Sequence, residues 1–385
     1  MYLFLLAIIY LAFISLGLPD SLLGSAWPVM QDAFNVPISY MGIVTMIICG
    51  CTIVSSLVSD RLTRKLGTKY VTIISVFMTA VALFGFSLSN NFVHLCLWSL
   101  PYGFGAGCID AALNNYVALH YNSRHMSWLH CFWGVGTIFS PYIMRWALGN
   151  TSWNSGYRIV SYVQLGITLV LVATLFAWKA NVSFETVATE GKPVGIKGAL
   201  KIKGVPYLLI GFFAYCAAEG TAMVWASSYL VEARGVGKET AAGFAALFYI
   251  GITAGRFASG FISEKLGDKN MIRLGTLVAL VGVVLLVLPI SHNLPSLVGL
   301  VVIGVGCAPV YPSIIHSTPS NFGAENSQAI IGIQMASAYV GSTFIPPLFG
   351  LIANHIDIKL FPWYILIFFV LMIVMTEKTF KKVGR

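Results

Sequence analysis

The stretch GAGCIDAALNNYVALHY, residues 105–121, sets one ionisable carboxylate, Asp110, in the middle of an apolar run. Two more acids share that setting, Asp20 in GLPDSLLGSAWP and Glu219 in FAYCAAEGTAMVWASSYL. A carboxylate at the centre of a bilayer costs about 3 kcal/mol on insertion scales. It persists there only if it faces a polar interior, pairs, or takes up a proton. Pro19, beside Asp20, has no backbone N–H and loosens the turn before it. Carbonyls freed in this way are tolerated at membrane depth where they line a cavity. Asp20 and Asp110 are therefore the expected proton carriers, and sodium is the other ion that such carboxylates and carbonyls suit. The bland alternative is that each acid is simply satisfied by a nearby Ser or Asn.

The neighbours of these acids are the groups that hold a small polar ligand. Asn114 lies four residues after Asp110, on the same helix face, while Asn115 and Tyr116 turn towards adjacent faces. In SWLHCFWGVG (127–136), His130 and Trp133 are three apart and again share a face. Tyr215, Glu219 and Trp225 follow one another in a single run, and GIQMASA contributes Gln334. Together Asp110, Asn114, His130, Trp133, Tyr215, Glu219, Trp225 and Gln334 offer paired hydrogen-bonding groups and flat aromatic surfaces, the inventory a sugar needs. Aromatic residues are 13% of the chain, however, so any single Trp is as easily a lipid-facing or interfacial residue.

The elements that must carry these residues are membrane helices. Of 385 residues, 57% are hydrophobic and 10% charged, with a mean hydropathy of +0.82. A soluble domain carries roughly a quarter charged residues. Apolar runs near 3–30, 38–58, 70–89, 92–120, 126–148, 157–178, 205–231, 240–262, 271–291, 295–316, 328–353 and 360–377 are each of the order of the ~20 residues that cross a bilayer. The first is too long for a signal-peptide core and has no basic leader, so it is expected to be retained. Most of the 23 Lys and Arg fall on one side of these runs if Met1 is cytoplasmic. By the positive-inside rule both termini then lie in the cytoplasm of a multi-pass protein of the cell membrane. The net charge of +9 is thus a topology signal, and no nucleic-acid partner is expected. Arg256 lies inside the eighth run, where it either snorkels or pairs. The seven cysteines sit in apolar runs without a CxxC pair, so neither a metal nor a disulfide framework is expected. No Walker loop, HExxH or nucleophile signature is present. The expectation is no cofactor, no ATP drive and no enzymatic activity. GFGAG (103–107) and GVG (134–136) follow no strand and are expected to be places of close helix packing.

KLGTK (65–69) recurs 200 positions later as KLGDK (265–269), each time after the second helix of a half. That spacing is what a duplicated transporter shows. The chain divides into a six-helix bundle over 1–180, a polar cytoplasmic linker over 181–204 and a second bundle over 205–385. GFISEKLGDK (260–269) resembles the signature loop of the major facilitator superfamily, with Gly260, Glu264, Lys265, Gly267 and Lys269 filling its positions. The first copy, DRLTRKLGTK (60–69), has Arg64 where the motif has its acid and Asp60 where it has its glycine. Glu264, at a helix end, is placed to meet basic residues and a neighbouring helix N-terminus. Lys265 and Lys269 are placed to hold it or to touch lipid phosphates. With Gly267, Asp60 and Arg64, these residues form a candidate conformational latch; the alternative is a merely topogenic basic loop.

The resemblance implies an all-α fold of twelve transmembrane helices in two pseudo-symmetric bundles. It also implies that Asp20, Asp110 and Glu219, on helices 1, 4 and 7, face a central cavity. Within the superfamily, Asp20 and DAALNN (110–115) are similar to the fucose–proton symporters and related hexose permeases. That branch has Glu-Thr-Ala-Ala-Asn-Pro in helix 4; here Asp110 replaces the Glu and Asn115 the Pro. AEGTAMVWASSYLVEARG (218–235) and GCAPVYPSIIHSTPSNFG (306–323) resemble its helices 7 and 10. The resemblance assigns substrate to Asp110 and proton transfer to Asp20. The expected function is proton-coupled uptake of a monosaccharide or related small polar solute by alternating access, with the lipid bilayer as the other partner and the chain acting as a monomer. Two alternatives stay open: an efflux carrier for an amphipathic compound or drug, and a ligand sensor built on the same fold.

Overall fold

The structure is a computed structural model that describes residues 2–181, 194–288 and 292–384. Linker residues 182–193 lie outside the described residues. All described regular structure is helical. In chain order the helices are α1 (Tyr2–Gly17), α2 (Leu22–Phe34), α3 (Tyr40–Leu66), α4 (Thr68–Leu88), α5 (Phe92–His120), α6 (Ser123–Asn150) and α7 (Trp153–Ala173). After a short α8 (Gly195–Ala199) come α9 (Val205–Arg234), α10 (Lys238–Val287), α11 (Leu294–Cys307), α12 (Val310–Phe322), α13 (Ala324–His355) and α14 (Phe361–Lys382).

Ten stretches among the described residues are long and apolar enough to cross a membrane. One of them, Leu3–Phe34, takes in both α1 and α2; another, Leu294–Phe322, takes in α11 and α12. Helix α6 is as long but carries Arg124, His125, His130 and Arg145. Helix α10 is two helices, because Gly267 (φ 72°, ψ 158°) turns the chain inside it. Twelve passes result, as the apolar runs anticipate. Gly67, between α3 and α4, has φ 80° and ψ 151°, the same conformation as Gly267. A side chain rarely tolerates that backbone, and glycine does. The KLG repeat is therefore a repeated helix–glycine–helix corner.

The chain forms two compact units, one of residues 1–116 and 129–195, the other of 117–128 and 196–385. In the first, Trp27, Met30, Phe86 and Tyr157 fill an apolar core. Its helices approach closely where glycines are placed. A Cβ on Gly103 would collide with the Ile48 carbonyl and one on Gly107 with that of Thr52, both on α3. Gly17 and Gly136 meet in the same way where α1 crosses α6. Without a hydrophobic drive between helices in lipid, such small-residue contact is what lets backbones pack. The expectation for the glycine-rich segments holds at 103, 107 and 136. The second unit interlocks α10 and α11 likewise, through Gly275 with Gly306 and Gly282 with Gly299.

Candidate functional site

In the first unit, the break between α1 and α2 is the turn Leu18–Ser21. Pro19 supplies no donor, and the chain passes through short turns from Asp20 N–H to the Gly17 carbonyl (3.3 Å) and from Leu22 N–H to the Pro19 carbonyl (3.2 Å). Asp20 stands exposed at this break. Its two oxygens each receive one donor: the Tyr102 hydroxyl of α5 donates to Oδ1 at 3.0 Å, and the Trp133 indole N–H of α6 donates to Oδ2 at 2.9 Å. This arrangement suits a charged carboxylate, since two fixed donors meet two acceptors. The sequence singles out Asp20 and Trp133 but misses Tyr102. Its only signal is position, eight residues before Asp110 and so on nearly the same helix face.

Asp110 is buried, as are Asn114 and His130. The Asn114 amide donates to the Asp110 carbonyl (3.0 Å) and to its Oδ1 (2.8 Å). That orientation leaves the Asn114 Oδ1 facing His130 Nε2 at 3.0 Å. An amide oxygen only accepts, so Nε2 must carry the hydrogen. The His130 ring sits edge-on to Phe13 of α1, with centroids 5.5 Å apart. A polar chain Asp110–Asn114–His130 thus ties α5 to α6. On α6 it begins three residues from Trp133, about 4.5 Å of helix rise. The two acid clusters occupy one stripe of that helix. Tyr116 turns elsewhere, against Trp178.

In the second unit, Glu219 is buried on α9. The Tyr215 hydroxyl lies 2.8 Å from Glu219 Oε1 and 2.9 Å from the Cys307 carbonyl. Arg256 of α10 places Nη2 3.5 Å from the same Oε1 and its guanidinium 5.9 Å from the Tyr311 ring centre. Of the two alternatives for Arg256, the structure selects pairing. Tyr311, unmarked in the sequence, also meets Phe212 and Tyr215, with centroids 4.8 and 6.1 Å away. Trp225 and Gln334 belong to other surroundings. Trp225 is half-buried, donates from its indole N–H to the Pro346 carbonyl (2.9 Å) and lies against Gly350. It is six residues past Glu219, about 9 Å along the helix. Gln334 is fully buried on α13 and accepts from the Thr318 hydroxyl at 2.9 Å.

The signature loop of the second unit is engaged by residues 117–128. Arg124 Nη2 donates to Glu264 Oε2 at 2.9 Å, and the Asn122 amide to Oε1 at 3.2 Å. Both partners lie at the N-terminus of α6, where a carboxylate also meets the positive end of the helix dipole. Lys265 is exposed, and Lys269 lies 5.4 Å from the Phe380 ring centre. Trp128 rests on Gly260, where a Cβ would collide with its indole, and donates to the Phe257 carbonyl at 3.2 Å. His316 of α12 adds a tie, with Nδ1 2.7 Å from Asp268 Oδ2 and Nε2 3.1 Å from the Tyr121 carbonyl. In the first unit, Asp60 and Arg64 pair with each other one helical turn apart, at 2.9 Å.

A family model described as Major Facilitator Superfamily matches residues 9–291 and 207–382. The chain is 20% identical to Bypass of stop codon protein 6 of Saccharomyces cerevisiae, over 91% of this chain and 77% of that protein. It is also 20% identical to the glucose/mannose transporter GlcP of Bacillus subtilis, over 91% and 88% of the two chains. Among solved structures, the superfamily transporter FucP in its outward conformation superposes with a TM-score of 0.81 at 16% identity, over 97% of this chain and 98% of that one. With its multiple membrane-spanning helices and the family match over most of its length, the chain is a multi-pass transporter, not an enzyme, and belongs to the Major Facilitator Superfamily.

Proposed function

We propose that this transporter couples the inward movement of a proton to uptake of a monosaccharide or related small polar solute by alternating access, acting as a monomer with both termini in the cytoplasm. The observation that carries the reading is the pair of acid clusters on α5 and α6. Asp20 is exposed at a helix break and held by Tyr102 and Trp133. Asp110 is buried in a chain with Asn114 and His130, and His130 shares one stripe of α6 with Trp133. Asp20 takes the coupling proton and Asp110 reports substrate to it. Asn114, His130 and Trp133 of the first unit, and Tyr215 and Glu219 of the second, supply polar and aromatic contacts to the solute, whereas Trp225 and Gln334 are taken up by their own surroundings. That the relative GlcP is a glucose/mannose transporter supports a hexose-like solute. Glu264 and its neighbours, with Asp60 and Arg64 at the corresponding corner, hold one end state.

The test is uptake of labelled monosaccharides into proteoliposomes with and without an inward proton gradient, sodium replacing it in a parallel arm. Accumulation that follows the proton gradient is expected, and its loss in Asp20→Asn together with Asp110→Asn. A gradient-blind uptake, a sodium requirement, or accumulation that survives both substitutions overturns the coupling.

A further inference from the structure

The surroundings of Glu219 allow its hydrogens to be counted. Three oxygens lie in a row, Glu219 Oε1, the Tyr215 hydroxyl and the Cys307 carbonyl, 2.8 and 2.9 Å apart. Tyr215 owns one hydroxyl hydrogen, and a carbonyl only accepts. With Glu219 ionised, one of the two short contacts sets lone pair against lone pair. With a proton on Oε1 both are satisfied: Glu219 donates to the Tyr215 oxygen, and Tyr215 donates to Cys307. Arg256 does not remove the deficit. Its Nη2 is 3.5 Å from Oε1, well beyond the ~2.7–2.9 Å of a charge-assisted bond. Asp20 differs sharply, with one independent donor on each oxygen. The two acids sit at nearly the same place in the duplicated sequence, since the corners at Gly67 and Gly267 are 200 residues apart.

We propose that Glu219 is a proton-binding site of the second unit, occupied in the conformation described here, with Arg256 as the partner that receives its carboxylate when the proton leaves. On release, the Oε1–H bond breaks and the proton departs. The Tyr215 hydroxyl turns from the Cys307 carbonyl to the carboxylate, and the guanidinium closes from 3.5 Å to a charge-assisted hydrogen bond. The cluster passes from a single positive charge to neutrality, so burial opposes the ionised state less than for a lone acid. The titratable groups around it are Tyr215 on its own helix, Tyr249 and Arg256 on α10, Cys307 on α11 and Tyr311 on α12. This inference leans on the transport reading only for where the proton goes.

The experiment needs no substrate: infrared spectra of the purified full chain in detergent near neutral pH, reading the carbonyl stretch of a protonated carboxylic acid. The expected result is a band in the unmodified protein that is lost in Glu219→Gln, kept in Asp20→Asn and shifted in frequency in Tyr215→Phe. If Glu219→Gln does not fold, the Tyr215→Phe shift decides alone. Absence of the band, its loss in Asp20→Asn, or a band unmoved by the Glu219 and Tyr215 substitutions overturns the assignment. A chain that moves no sugar can still pass this test, and a working sugar–proton symporter can fail it.

Discussion

At the scale of single residues, the donors around each acid dictate what a substitution does. In Asp20→Asn the new amide can turn its oxygen to the Trp133 N–H and its NH2 to Tyr102, whose hydroxyl can accept as well as donate. The variant should therefore fold and melt close to the unmodified protein while losing its charge. Solute exchange without a gradient is expected to continue and gradient-driven accumulation to stop, measured in the same proteoliposomes. Asn114 is different because it is fully buried and bonded on both ends of its amide. Asn114→Leu removes partners from Asp110 and His130 at once, and leaving a buried polar group unpaired costs about 1–3 kcal/mol. A clear fall in thermal midpoint should follow. The acids themselves were legible in the sequence because a carboxylate in an apolar run is conspicuous. Tyr102 and Tyr311 were not, because one aromatic in a chain full of them carries no mark until a partner from another helix is placed beside it.

At the scale of helices, the apolar runs located every pass, and the small residues located the close contacts, because both are local properties of the chain. Partners distant in sequence were hidden. Lys265 and Lys269 look like the natural companions of Glu264, yet Arg124 and Asn122, some 140 residues earlier, hold it. The difference is geometric: neighbours along one helix corner point apart, whereas the next helix N-terminus presents its groups directly. Packing gives a sharp contrast between glycines. Gly107 meets the Thr52 carbonyl, whereas Gly42 has open space where a Cβ would go. Gly107→Leu overpacks the α3–α5 contact and should cost about 1–3 kcal/mol. Gly42→Ala should be neutral or stabilise by up to about 1 kcal/mol, from helix propensity alone. Thermal shifts of the purified variants check both, and similar shifts at the two positions would mean that the close crossing carries no energy.

For the molecule as a whole, the duplicated corner is the feature from which most else can be read, and its two copies are used differently. Gly67 and Gly267 share one backbone conformation, and in the first copy the acid, Asp60, pairs with Arg64 one turn along its own helix. The second directs Glu264 and Asp268 outward, to Arg124 and Asn122 and to His316. These ties, with Trp128 on Gly260, hold residues 117–128, the end of α5 and the start of α6, within the second unit. Their strengths should be unequal. Arg124 and Glu264 are about a third exposed, and an exposed pair contributes at most about 1 kcal/mol, roughly five-fold in local opening. The Trp128 indole, seated on a glycine between Phe257 and Phe261, covers far more apolar area. Hydrogen exchange over 117–128, followed by mass spectrometry, separates the two. Glu264→Gln should speed exchange there by about five-fold or less, and Trp128→Ala by more, with the double variant exceeding either. If Glu264→Gln instead releases the whole segment, the ion pair is the keystone and the aromatic seat merely follows it.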